Sequence, residues 1–229
     1  MNPLSSLLQL FLPRVCAGCH RPLLPNEDTL CLTCRVQLNY LHDVKRGNPA
    51  ERRLLRLFPF ERGAAFCYYE HEALFARLIK KAKYESQPYI NSGLTRLFLP
   101  ELDRADWRGD IEVIVPMPVH WTRRLHRGYN QVEPIATELG RHWQLPVETR
   151  CLVKSHRTRS QVGQSQQERL QHFEHHSPFA LRHTDRLQGR HVLLVDDVHT
   201  TGATLTAAAQ TLLQVPGIRL SFLTLGLTL

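Results

Sequence analysis

Two adjacent carboxylates, Asp196 and Asp197, directly follow the apolar run 192–195, and Val198, His199, Thr200, Thr201, Gly202, Ala203 and Thr204 come after them. A hydroxyl-rich loop closed by glycine lets backbone N–H groups converge on one anion, and a helix following it adds its unpaired N–H groups and positive end. One phosphate fits such a cradle. Two carboxylates would repel that phosphate, so they must face hydroxyl donors beside it; an ionised carboxylate accepts two hydrogen bonds, each strengthened by its charge. A ribose diol beside a phosphate, hence a ribose 5-phosphate, satisfies both halves of the stretch. The plainer reading is a strand end whose Thr200 or Thr201 caps a helix, but a bare cap has no use for the acid pair, Gly202 and Thr204 together.

The element that must carry these groups is 192–195, Val-Leu-Leu-Val. Such a run is the composition of a strand buried on both faces, which belongs to a parallel sheet covered by helices. On this reading the chain turns polar at Asp196, and the site lies at the carboxyl end of the strand. Leu205, Ala208, Leu212 and Leu213 then resume at helical spacing. A second strand, 111–115, runs into Pro116, Met117, Pro118, Val119 and His120, and Arg123, Arg124 and Arg127 follow. The prolines fix the backbone where the strand ends. Arginines at the same sheet edge could hold a diphosphate, although an Arg-rich solvated loop would look the same in sequence. Elsewhere the pattern predicts a strand at 64–69, a helix through Leu74, Leu78 and Ile79 that ends in Lys83 and Tyr84, and a helix through Leu94, Leu97 and Phe98 stopped by Pro100. A polar turn over 101–110, a helix over 131–144 and a last strand over 217–225 complete the reading.

Cys16-x2-Cys19 and Cys31-x2-Cys34, eleven residues apart, form a paired knuckle pattern. Two residues between thiolates let both reach one ion, and two knuckles supply the four sulfurs of a closed tetrahedral Zn2+ site of structural type. Disulfides are the alternative, disfavoured in a reducing compartment. Cys67 and Cys151 stand alone and read as small core residues.

The chain has 229 residues, 42% hydrophobic, with a formal net charge of +8. That suits one ordinary domain with a small appendage, and the charge favours anionic partners, nucleic acid included, or simply a basic surface. No apolar run reaches the roughly 18 residues of a membrane span. Leu4, Leu7, Leu8, Phe11 and Leu12 follow amphipathic helical spacing, without the basic start and small-residue cleavage site of a secretory signal, so a cytoplasmic location is expected. Residues 42–62 are Arg-rich and broken by Gly47, Pro49 and Pro59, which predicts a linker or an exposed helix. Neither a Walker A loop nor G-x-G-x-x-G is present, which sets aside ATPases and dinucleotide enzymes.

The strand, acid pair and Thr-Gly-x-Thr loop resemble the phosphoribosyl-diphosphate (PRPP) signature of the type I phosphoribosyltransferases. Pro116-x-Pro118-x-His120, then Arg127-Gly128-Tyr129-Asn130-Gln131, narrows the resemblance to the ComF/GntX family of competence-associated, phosphoribosyltransferase-like proteins. That family also carries an amino-terminal cysteine module, a Lys-aromatic pair matched by Lys83 and Tyr84, and a Thr-x-x-Gln element matched by Thr158 to Gln161, followed by Arg169. The family's usual Asn falls on His172 and a usual Leu on Gln164, and the second pair of knuckles found in many members is absent. The resemblance implies an α/β fold of type I phosphoribosyltransferase class, a mainly parallel sheet flanked by helices, with a small amino-terminal zinc module of four cysteines. It divides the chain into a helix and module at 1–41, a linker at 42–62 and a phosphoribosyltransferase-like domain at 63–229.

It further implies that Asp196 and Asp197 hold the ribose hydroxyls, that the loop 198–204 binds PRPP by wrapping its 5-phosphate, and that residues 154–178 cover the site. Pro118, Val119, His120, Arg123, Arg124, Arg127 and Lys83 become candidates for pyrophosphate or acceptor contacts, with Mg2+ accompanying PRPP. The implied activity is transfer of phosphoribose to a nitrogenous base with release of pyrophosphate, in a protein associated with DNA uptake. Single-stranded DNA and a competence helicase-type protein are the implied macromolecular partners. The alternative is a catalytically silent module of the same fold that binds single-stranded DNA or a competence partner.

Overall fold

The computed structural model describes residues 14–120, 128–155 and 177–229. Its strands are β1 (Gly63–Tyr69), β2 (Val113–Pro116), β3 (Leu152–Lys154), β4 (Phe179–Leu181), β5 (His191–His199) and β6 (Arg219–Thr228). Its α-helices are α1 (Leu32–Val36), α2 (Pro49–Leu54), α3 (Leu74–Tyr84), α4 (Tyr89–Arg104), α5 (Glu133–Trp143) and α6 (Ala203–Leu212). The main sheet runs β1-β6-β5-β2 with every pairing parallel. Val192, Leu193, Leu194 and Val195 are buried, as are Val113, Ile114 and Val115 beside them. This is the two-sided burial that helices on both faces of a parallel sheet impose. Val147 bridges Ile114 at one margin, and Tyr40 bridges Cys67 in antiparallel sense at the other, so both edges are covered against further pairing. β3 and β4 form a separate antiparallel ribbon.

Two local expectations are corrected. β5 does not stop where it turns polar at Asp196: it continues to His199, because β6 is long enough to pair Asp196 with Thr224, Val198 with Gly226 and His199 with Leu227. α4 passes through Pro100 and extends to Arg104. The Pro100 side chain is exposed while Leu99 and Leu102 beyond it are buried, and apolar burial of ~1.5–3 kcal/mol per side chain offsets the lost backbone bond. The stretch 42–62 contains α2, a helix that exposes Arg52 and Arg53 and buries Ala50, Glu51 and Leu54. Asn48 caps it, accepting from Ala50 N and Glu51 N at 2.9 and 3.1 Å, and donates to the Gly63 carbonyl. The buried Glu51 carboxylate accepts from Gly47 N and Gly63 N. These bonds tie α2 to the start of β1.

The cysteine segment packs on α3 and α4. Lys81 Nζ donates to the Ala17 carbonyl at 2.9 Å. Gly93 lets α4 lie against Thr29, whose Oγ1 would be 1.9 Å from any added Cβ. Arg96 joins Asp28 to Glu138, linking the segment to α5. Among the described residues no helix is long and apolar enough to cross a membrane.

Candidate functional site

At the carboxyl end of β5 the side chains alternate: Asp196 and Val198 are half-buried, Asp197 and His199 fully buried. Each acid accepts from the next backbone N–H, Asp196 Oδ1 from Asp197 N at 2.8 Å and Asp197 Oδ1 from Val198 N at 2.7 Å. Asp197 Oδ2 lies 3.0 Å from Lys83 Nζ at the end of α3. Burial, and then the neighbouring Asp197 carboxylate, push Asp196 up to about 8, as desolvation and like charge both disfavour ionisation. His199 donates or accepts at Thr224 Oγ1, 3.1 Å away. Burial, and then the Arg53 guanidinium, bring its pKa down to about 4, so its ring is neutral at pH 7.

Past His199, the loop reaches α6 through Gly202, which has φ +80° and whose added Cβ would stand 2.3 Å from Leu54 Cδ2. Both the backbone and the space therefore require glycine. Thr201 Oγ1 accepts from Ala203 N, and the Gly202 carbonyl accepts the first helical bond from Thr206 N. α6 has no acid in its first turn, so the positive helix end meets no competing charge there. Arg53 of α2 donates to the carbonyls of Thr200 and Thr228, pinning the loop from beneath.

The loop after β2 faces this one. Asn130 Nδ2 donates to the Met117 carbonyl, while its Oδ1 accepts from Val132 N. Tyr129 donates to the Ala82 carbonyl beside Lys83, and Asn91 of α4 holds the Gln131 carbonyl. The Tyr-Asn-Gln element thus anchors the Pro-Met-Pro loop to α3 and α4.

Together these elements enclose a pocket of about 200 Å³. It brings together Lys83, Pro118, Val119, His120, Asp196, Asp197 and all of 198–204. Arg123, Arg124 and Arg127 lie outside the described residues, as do Thr158 to Gln161, Arg169 and most of the expected cover at 154–178. Lys154, Met117 and Gln131 also line the pocket. Lys154 had no local motif to announce it; it arrives as the last residue of β3, where its charge draws down the Asp196 pKa. A larger cavity of about 790 Å³ shares no lining residue with this pocket.

Residues 125–219 match the phosphoribosyl transferase domain family. The chain is 28% identical over 203 residues to DNA utilization protein YhgH of Escherichia coli (strain K12), covering 87% of this chain and 84% of that one. It is 30% identical over 138 residues to Competence protein F of Haemophilus influenzae, covering 59% and 60%. These matches support a ComF-like family of phosphoribosyltransferase type. A crystal structure of adenine phosphoribosyltransferase superposes with a TM-score of 0.39 at 17% identity, over 62% of this chain and 74% of that one.

The four module cysteines converge. The sulfurs of Cys16, Cys19, Cys31 and Cys34 all lie within 4.8 Å of one another, and Cys19 and Cys31 are 3.7 Å apart. Thiolates about 2.3 Å from a tetrahedral ion stand roughly 3.8 Å from each other, so the set fits a structural metal. The Arg21 guanidinium beside Cys19 brings that thiol down to about 6, while burial pushes Cys34 upward. Gly18 is needed in the first knuckle because a Cβ there would meet Cys34 Sγ at 2.9 Å.

Proposed function

We propose that the chain binds PRPP at the carboxyl end of β5 and transfers its phosphoribosyl group to a nitrogenous base, releasing pyrophosphate. The observation that carries this reading is the single pocket in which the acid pair, the glycine loop at the start of α6, the Pro-Met-Pro-Val-His loop and two lysines meet. Asp196 and Asp197 face the ribose diol. The backbone N–H groups of 201–204 and the end of α6 take the 5-phosphate. His120 and Lys83, with Pro118 and Val119 shaping the wall, stand on the side where the diphosphate or the acceptor must lie, and Arg123, Arg124 and Arg127 are proposed to extend that side.

In the transfer the bond from C1 to the diphosphate oxygen breaks and the diphosphate leaves as pyrophosphate, a bond from C1 to the base nitrogen forms, and the nitrogen gives up its proton to solvent. Positive charge grows on the ring as negative charge grows on the leaving group. Fixed donors and cations aimed at the leaving group lower this barrier without needing a protein nucleophile. Mg2+ takes oxygen ligands and is commonly held by one or two carboxylates with substrate phosphates. The oxygens of Asp196 and Asp197 would hold it, and the bound ion would neutralise charge on the diphosphate. A structural role is proposed for Zn2+ at Cys16, Cys19, Cys31 and Cys34. The boundaries at 1–41 and 63–229 remain part of the proposal, with α2 of 42–62 serving as a support of the loop.

A second reading is a silent PRPP-fold module that engages single-stranded DNA; it draws on the net charge of +8 and on the names of the relatives, which concern DNA utilization and competence. Pyrophosphate release from PRPP with a panel of bases, abolished by Asp196→Asn with Asp197→Asn, supports transfer. No release with any base, together with salt-sensitive DNA binding, supports the module.

A further inference from the structure

The cavity of about 790 Å³ is walled by residues that the transfer reaction does not use. It sits at the amino end of the sheet: Arg62 immediately precedes β1, and Arg104 closes α4 at the same end. The acid pair is at the opposite, carboxyl end. Arg35, Lys45, Arg46, Arg62 and Arg104 contribute five cations, against the two carboxylates Asp43 and Glu101. Arg62 is committed to structure, donating to the Ala105 and Asp106 carbonyls over the Trp107 ring. Arg46 reaches Glu61 only at 3.9 Å, and Lys45 and Arg104 enter no ion pair among the described residues. Both are exposed, so a net positive rim surrounds a concave space.

The wall also offers an aromatic surface. The Tyr40 and His42 rings are 5.0 Å apart, and Phe66 meets Tyr40 edge-on at 5.1 Å. His42 sits at φ +51°, a conformation that costs a non-glycine residue energy and persists only where the surroundings enforce it. Asp43 and Glu101 add acceptors that suit the N–H and hydroxyl donors of a nucleoside and disfavour a long polyanion. The volume lies within the range of small-ligand sites.

We propose that this cavity is a second ligand site that takes a free nucleoside monophosphate, its phosphate at Lys45, Arg46 and Arg104 and its base against Tyr40 and His42. The assignment does not depend on the PRPP reading. The test is calorimetric titration of the full-length chain with deoxyadenosine monophosphate, at low salt and with PRPP present in excess to fill the other pocket. Parallel titrations use deoxyadenosine, inorganic phosphate and a single-stranded oligonucleotide.

Saturable mononucleotide binding is expected, weakened at least about tenfold by Lys45→Glu with Arg104→Glu. Circular dichroism verifies the fold of the charge-reversed chain, and Lys45→Ala with Arg104→Ala gives the same ranking with a smaller loss. Four results would each overturn the proposal: no binding of the mononucleotide, binding indifferent to both pairs of substitutions at the rim, equal affinity for inorganic phosphate, or binding of the oligonucleotide alone.

Discussion

Lys83→Met removes the cation that lies 3.0 Å from Asp197 Oδ2 and leaves a carboxylate that is 4% exposed without its partner. Opposite unit charges at that separation attract by roughly 5 kcal/mol at an effective dielectric of about 20. Truncating one member of a buried pair characteristically costs about 3–5 kcal/mol, because the other charge stays buried and uncompensated. For a chain of this size that corresponds to a Tm lower by about 6–20 °C. Asp197→Asn in the same background removes the stranded charge, so the double variant is expected to recover much of the loss, with a coupling energy of about 2–3 kcal/mol in the cycle. Urea unfolding followed by tryptophan fluorescence reads all four chains, with zinc held constant so that metal loading does not enter the comparison. A coupling below about 0.5 kcal/mol would refute the reasoning: the two groups would then be neighbours without being partners, and the preparation of the acid pair by α3 would have no energetic basis.

Three further outcomes are expected. Gly202→Ala meets both φ +80° and Leu54 Cδ2 at 2.3 Å, so it should destabilise the chain by about 1–3 kcal/mol and abolish PRPP binding; adding Leu54→Ala relieves the clash but not the backbone strain, giving partial recovery by thermal shift. Asp196, raised to about 8, contributes fold stability that is present below the ordinary carboxyl range and lost as the pH rises through about 8. PRPP binding runs the opposite way, tightening by up to about tenfold per pH unit below 8 as the carboxyl ionises, and Asp196→Asn should flatten that dependence in a titration series. A strong chelator should lower the Tm of the parent chain, with metal release read by a zinc dye, and leave that of Cys31→Ser unchanged.

The chemical groups were legible in the sequence because they are local. An acid pair, a glycine loop and two cysteine knuckles each declare themselves within a dozen residues, and the buried strands show as apolar runs. What escaped was whatever depends on a distant neighbour. The continuation of β5 through its carboxylates is set by the length of β6, and passage of α4 through Pro100 is set by burial of Leu99 and Leu102. Basic composition and two prolines make 42–62 look solvated, yet one asparagine and one glutamate there satisfy the backbone at the start of β1. Lys154 enters the site through the ribbon, and Arg53 supports it from α2; neither has a pattern that a linear reading can detect.

Two lysines one helical half-turn apart on α3 serve different clients, Lys81 the first cysteine knuckle and Lys83 the buried acid. A rotation or translation of that helix is therefore felt at both addresses at once. Removal of the metal proposed at the amino-terminal knuckles is expected to slacken the grip on Ala17 and, through the same rigid rod, to shift Lys83 against Asp197, a residue such an ion would never touch.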